Sequence, residues 1–271
     1  MCRPANYIDP PCSIDLVILV VSDLHAGHPD AAVSEFLSFL DACESAGIGT
    51  LVLLGDVFDL WRRKNGPLLV EHGGLIDRMI GLRGVDLQYV VGNHDYALLE
   101  IAERAGGRGP FSILKRLLIE EGGRTTLFIH GYDLEVWGAL EPLSVEAYEA
   151  FASRMCAVGD FGGAAAGRIV ELYSRGLDLV ARRETLARPA HERPTLDAAE
   201  ALAHSPARHL LLGMKKGDRL VYGHTHRPSV SADGLVANPG AWVAGGDDAL
   251  SYLRIENDEV ALRRFGRDSF P

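Results

Sequence analysis

Five short apolar runs in this chain each end in a cluster of carboxylates, imidazoles or amides, and that conjunction restricts the fold more than any other feature. The runs are Leu16–Ser22, Thr50–Gly55, Leu87–Gly92, Thr125–His130 and Arg219–Gly223. Each is short, rich in Val, Ile and Leu, and bounded by turn-forming residues, which is the pattern of strands buried on both faces. Leu235–Asn238 and Leu250–Ile255 are weaker strand candidates. Between the runs, Ala31–Ala46 and Pro67–Leu82 repeat apolar residues at helical spacing. Strands alternating with helices, joined by right-handed crossovers, predict an α/β architecture.

The polar clusters follow the runs in a consistent way. The first run leads to Asp23 and His25, the second to Asp56 and Asp59, the third to Asn93, His94 and Asp95. The fourth ends at His130 and the fifth leads to His224 and His226. A lone histidine at a strand end is ordinarily a satisfied polar residue, and an isolated Gly-Asp or Gly-Asn is an ordinary turn. Five such clusters in one chain are not expected from turn chemistry alone. In open α/β sheets, ligands collect beyond the carboxyl ends of the strands, so these distant groups converge on one edge. The expectation is that alternation along the strand puts the outer residues of D-x-H and H-x-H on one face. Glycine before Asp56, Asn93 and His224, and after His130, predicts tight turns and close backbone approach.

Carboxylate, imidazole and amide oxygen, without thiolate, are hard-to-borderline ligands. They suit Mn²⁺ best, with Fe or Zn²⁺ as alternatives, rather than a cysteine-rich structural zinc site. There are more of them than one ion with open positions needs. Two divalent ions about 3.5–4 Å apart, bridged by a carboxylate and a water, would use the whole set.

The chain has 271 residues, 47% of them hydrophobic, enough for the core of one large domain. Its formal charge of −10 argues against a protein that coats nucleic acid, whose affinity comes mainly from phosphate contacts. The four cysteines, Cys2, Cys12, Cys43 and Cys156, form no C-x-x-C pair, which fits a reduced, cytoplasmic setting. The apolar run near the N-terminus is flanked by Asp15 and Asp23 and is too short to span a bilayer, so a buried strand is expected there. From Leu134 to Met214 no strand-like run occurs. Helices are expected there over Ser144–Val158, Gly167–Arg188 and Thr195–His204, as an insertion within a single 1–271 domain.

The motifs D-x-H (Asp23, His25), G-D-x-x-D (Gly55, Asp56, Asp59), G-N-H-D (Gly92 to Asp95), H-G (His130, Gly131) and G-H-T-H (Gly223 to His226) resemble the calcineurin-like metallophosphoesterase superfamily. The later N-P-G-A-W (Asn238 to Trp242) is similar to a turn that many members carry. The resemblance implies a four-layer αββα sandwich of two mixed sheets, the metallo-dependent phosphatase fold, around a dinuclear centre. It implies that Asp23, His25 and His226 hold one ion, that Asn93, His130 and His224 hold the other, and that Asp56 bridges. It also implies that metal-activated water hydrolyses a phosphodiester or pyrophosphate bond, with His94 serving the phosphate. Such a histidine benefits from a carboxylate on its other nitrogen, which fixes its tautomer and raises its basicity. Asp59 holds that place by resemblance and Asp95 is the local rival, with a turn-securing role as its other reading.

Within the superfamily the motifs are most similar to the UDP-2,3-diacylglucosamine hydrolase-like group. Two positions depart from it: His94 stands where that group commonly has Arg, and Tyr132 follows His-Gly where it has Asp. The alternatives are a nuclease, a cyclic-nucleotide phosphodiesterase, or a non-catalytic scaffold on the same fold. The small phosphorylated substrate would be nucleotide- or lipid-linked, with peripheral membrane contact and no obligate protein partner. Trp61, Arg62 and Arg63 read equally as a substrate contact, stacking on a base and pairing with phosphate, or as a surface loop. The insertion reads either as a lid or as helices packed on the core, the packed reading being preferred.

Overall fold

The computed structural model describes residues 7–8, 17–121, 123–158, 194–243 and 249–270. Its strands are β1 (Tyr7–Ile8), β2 (Ile18–Val21), β3 (Thr50–Leu54), β4 (Asp86–Val90), β5 (Ser112–Leu114), β6 (Arg116–Glu121) and β7 (Arg124–Ile129). β8 (Arg219–Tyr222), β9 (Ser229–Val230), β10 (Val236–Asn238), β11 (Ser251–Glu256) and β12 (Glu259–Arg264) follow. They form two six-stranded sheets, ordered β1-β6-β7-β8-β10-β9 and β12-β11-β2-β3-β4-β5. Both are mixed. β2, β3 and β4 run parallel in one sheet and β7 and β8 run parallel in the other, while β11 and β6 are antiparallel to their neighbours β2 and β7.

Alternation along the strands explains the layers. Ile18, Val20, Val52, Leu54 and Val90 point inward and meet Leu117, Phe128, Val221 and Ala237 of the facing sheet in one buried cluster. The intervening residues Leu19, Val21, Leu51 and Leu53 point outward, against helices α1 (Val33–Ser45), α2 (Asn65–Glu71) and α3 (Gly73–Ile80). On the other sheet, Leu127, Ile129, Leu220 and Tyr222 face outward against α5 (Tyr132–Ala139) and α7 (Pro194–His204). Each fully buried aliphatic side chain contributes about 1.5–3 kcal/mol, so both faces of both sheets stabilise the fold. Helix, sheet, sheet, helix is the expected four-layer order.

Several boundaries differ from the sequence reading. The helix expected over Pro67–Leu82 is two helices, α2 and α3, meeting at His72 beside Gly73 and Gly74, where helix propensity is lowest. α4 (Ala97–Arg104), α5, the strands β1, β5, β6, β9 and β12, and α8 (Ala207–Leu212) had no clear periodic signature. α6 (Val145–Val158) and α7 lie within two residues of their expected bounds. The expected helix Gly167–Arg188 lies outside the described residues.

Trp242, in the N-P-G-A-W turn, ties the layers together. Its ring meets Phe36 and Phe39 edge-on at 5.2 and 5.1 Å, and its Nε1 donates to the Ser251 carbonyl at 2.8 Å. Its backbone N–H reaches the Asp23 carbonyl at 3.0 Å, so the same residue braces the first polar cluster.

Candidate metal centre

The parallel strands β2, β3 and β4 deliver their carboxyl ends to the edge reached by β7 and β8 of the other sheet. Two contacts join the sheets there. His130 Nδ1 donates to the Leu54 carbonyl at 2.8 Å, and the His224 N–H donates to Asp23 Oδ2 at 3.0 Å. The expected strand alternation is not what orients the ligands. Asp23, His25, Asp56, His224 and His226 all lie past the strand ends with φ between 50° and 67°, in the left-handed region. Such backbone costs roughly 1 kcal/mol or more per residue, and it persists only where the surroundings over-determine it.

The side chains gather into three groups, each with one donor atom per residue within 4.8 Å of the others: Asp23, His25 and His226; Asp56, His130 and His224; and His25, Asp59 and His94. In the first, His25 Nε2 and His226 Nε2 are 3.3 Å apart and lie 3.7 and 3.2 Å from Asp23 Oδ1. Asp56 Oδ2 lies 3.2 Å from His130 Nε2 and 3.8 Å from His25 Nε2, between the first two groups. Its other oxygen accepts the His94 N–H at 2.8 Å, which fixes the carboxylate's orientation.

Whether these residues suit cations is tested by what they leave unpaired. Asp23 Oδ1, Asn93 Oδ1 and His130 Nε2 are buried and make no hydrogen bond. Buried polar atoms are nearly always satisfied, so unpaired atoms on Asp23 and His130, both members of the ligand groups, mark them as candidate ligands, and Asn93 lies next in sequence to His94 of the third group. The electrostatics agree. Burial would depress His130, but the carboxylates of Asp56 and Asp23 outweigh it and raise the imidazole to about 10. A site that draws a proton onto a buried imidazole this strongly is one in which positive charge is favoured.

The close packing needs glycine at two points. A Cβ on Gly92 would collide with Asp56 Oδ1 and the Asp56 backbone nitrogen, and one on Gly55 would collide with the His130 ring. Gly92→Ala is therefore expected to lower the thermal midpoint by roughly 2–10 °C, from an overpacking cost of about 1–3 kcal/mol, and to weaken Mn²⁺ binding. Calorimetric scans with and without Mn²⁺ measure both, and an unchanged midpoint with unchanged affinity would contradict the close approach.

In the third group, His94 is held by three neighbours. Its Nδ1 lies 2.8 Å from Asp59 Oδ1, Trp61 stacks on its face at 4.3 Å, and His25 meets it edge-on at 4.8 Å. Asp59 is fully buried and its second oxygen accepts from Arg62 Nε at 2.5 Å. Asp95 faces elsewhere. Its carboxylate accepts the N–H groups of Gly92 and Val57 and the Tyr89 hydroxyl, at 2.6–2.8 Å, and so secures the turn. Trp61 lies against His94 and Phe151, whereas Arg63 pairs with Glu71 on the surface.

Ser22 and Glu135 were not singled out from sequence, and Asn238 was marked only as the first residue of the N-P-G-A-W turn. Ser22 Oγ donates to Asp23 Oδ2 at 2.5 Å, and Asn238 Nδ2 donates to the Gly223 carbonyl and to Thr225 Oγ1, bracing the G-H-T-H loop. Glu135 Oε2 lies 2.7 Å from His224 Nε2. The only sequence signal for Glu135 was a carboxylate in the otherwise apolar stretch that follows Asp133.

Two sheets with helices outside them, and a carboxylate–imidazole–amide cluster at their shared edge, are the architecture of a metal-dependent phosphoester hydrolase. The chain belongs to the calcineurin-like phosphoesterase family, whose model matches residues 16–228. It is 28% identical over 281 aligned positions to the UDP-2,3-diacylglucosamine hydrolase of Xanthomonas oryzae pv. oryzae (strain PXO99A), covering 92% of this chain and 99% of that one. It is 26% identical over 265 positions to the enzyme of the same name from Escherichia coli O6:H1, with the same coverage. No helix among the described residues is long and apolar enough to cross a membrane.

Proposed function

We propose that the protein is a dinuclear hydrolase that cleaves a pyrophosphate or phosphodiester bond in a nucleotide-linked substrate. The reading is carried by Asp56 Oδ2, which lies between the His130 and His25 imidazoles while its partner oxygen is committed to the His94 N–H. Asp23, His25 and His226 would hold one ion, and Asn93, His130 and His224 the other, with Asp56 shared. The donor set, oxygen and imidazole without thiolate, suits Mn²⁺. When bound, such a pair supplies a water whose pKa falls towards neutrality and neutralises charge on the phosphoryl oxygens.

The chain's own residues supply the rest. With Nδ1 directed to Asp59, His94 keeps Nε2 for the phosphate, where it stabilises charge and protonates the departing oxygen. Burial disfavours the imidazolium, but Asp56 and Asp59 outweigh it, so His94 titrates above its ordinary value. Trp61 keeps water from one face of that ring. Arg62, half exposed beyond Asp59, offers the remainder of its guanidinium to a phosphate.

A UDP-2,3-diacylglucosamine-like substrate is supported by the names of the relatives that span almost the whole chain. A second reading, a different phosphodiester, is favoured by His94 and Tyr132 at the two positions where the group commonly has Arg and Asp. The setting proposed is cytoplasmic with peripheral membrane contact, in keeping with the free, buried thiols of Cys43 and Cys156. Purified protein with added Mn²⁺ is expected to hydrolyse bis-p-nitrophenyl phosphate and to lose the activity on chelation. No turnover from mildly acid to mildly alkaline pH would overturn the enzyme reading. A panel of UDP-diacylglucosamine, UDP-sugars, cyclic nucleotides and single-stranded DNA then separates the substrate readings.

A further inference from the structure

The two histidines grouped with Asp56 are held by different kinds of partner. His130 donates from Nδ1 to the backbone carbonyl of Leu54, which leaves Nε2 as its ligating nitrogen. His224 has the opposite arrangement. Its Nε2 faces Glu135 Oε2 at 2.7 Å, and a carboxylate accepts, so the proton sits on Nε2 and the lone pair on Nδ1. Glu135 is buried on α5. Its second oxygen accepts from Thr195 Oγ1 at 2.5 Å, and Thr195 belongs to the first turn of α7. α7 also reaches the G-H-T-H loop from the other side, through Asp197 and Glu200, which lie 2.6 and 3.2 Å from Arg227 Nη1. α7 thus touches both the orienting carboxylate of His224 and the residue that follows His226.

We propose that Glu135, fixed by Thr195, is a positioning residue that selects the ligating tautomer of His224, so that α7 of the insertion governs the ion held with Asp56, Asn93 and His130. The proposal rests on the dinuclear reading for its ion, but not for its tautomer. A histidine ligand whose second nitrogen loses its carboxylate typically binds metal 10–100-fold more weakly. α7 therefore belongs to the metal site as well as to the core, where Leu196, Ala199 and Ala203 are buried. The choice between lid and packing that the sequence leaves open has a third answer at this end of the insertion.

The test is Mn²⁺ titration by isothermal calorimetry on the full chain, together with two-dimensional nitrogen-15 spectra of the histidine rings before metal is added. Glu135→Ala is expected to weaken one of two Mn²⁺ sites by about 10–100-fold and spare the other. Glu135→Gln, which keeps an acceptor, should recover part of the loss, and Thr195→Val should weaken the same site to a smaller extent. The ring spectra should show His224 protonated on Nε2 in the wild type and a mixture of tautomers in Glu135→Ala. Retention of both affinities in a folded Glu135→Ala would overturn the proposal. So would an equal weakening of both sites, which would mark a structural role only. A wild-type stoichiometry of one Mn²⁺ would instead remove the dinuclear reading, and the tautomer spectra would still decide the role of Glu135.

Discussion

Asp56→Ala is expected to abolish tight binding of both divalent ions and to lower the hydrolytic rate about a thousandfold or more, a loss of several kcal/mol of transition-state stabilisation. The size follows from how many neighbours share this carboxylate. Oδ2 lies within 3.2 Å of His130 Nε2 and 3.8 Å of His25 Nε2, and Oδ1 accepts the His94 N–H. Burial alone would raise its pKa, but His130, His94 and His25 outweigh that and hold it far below the carboxylate range. Alanine therefore removes the anion that lies between two ligand groups and at once frees the backbone that carries His94. Asp56→Asn separates these effects, because the amide oxygen can still accept from His94 while the charge is gone. Metal analysis after gel filtration, beside rates with bis-p-nitrophenyl phosphate, measures both. Retention of two ions by Asp56→Ala would contradict the bridging assignment.

Much of the fold was legible because the two sheets bury both faces. Ile18 and Val20 face one layer and Leu19 and Val21 the other, so the run reads as continuously apolar and marks a central strand. β6 and β12 were not legible for the converse reason. In Arg116–Glu121 only Leu117 and Ile119 are buried, and Glu259–Arg264 is an edge strand with no buried residue. Local propensity carries little information where one face is solvated. The polar clusters were visible because each follows a strand that sequence alone could locate. The left-handed backbone at Asp23, His25, His224 and His226 was not, since only glycine announces that conformation reliably and here tertiary contacts impose it on aspartate and histidine. Glu135 was hidden for a different reason. Its partner lies 89 positions away, and nothing local to the stretch after Asp133 specifies that contact.

His94→Ala should keep both ions and lose rate, by about 10²–10⁴-fold with an alkyl leaving group and much less with p-nitrophenolate. The geometry gives the reason. No hydrogen bond of the His94 side chain holds Asp23, Asp56 or Asn93, while its backbone N–H, which does hold Asp56, survives the substitution. What disappears is a ring fixed by Asp59 at 2.8 Å, stacked on Trp61 at 4.3 Å and edged by His25 at 4.8 Å. A good leaving group departs as its anion without help, so a proton donor matters little to it. A poor one needs the proton as the bond to phosphorus breaks. Asp59→Asn should fall between wild type and His94→Ala on the same substrates, because it keeps a neighbour for Nδ1 but withdraws the charge that favours the imidazolium. Rates for a series of phosphodiesters graded in leaving-group basicity decide the matter. If His94→Ala loses the same factor across the series, proton donation is ruled out, and the ring acts only on charge that develops on the phosphoryl oxygens.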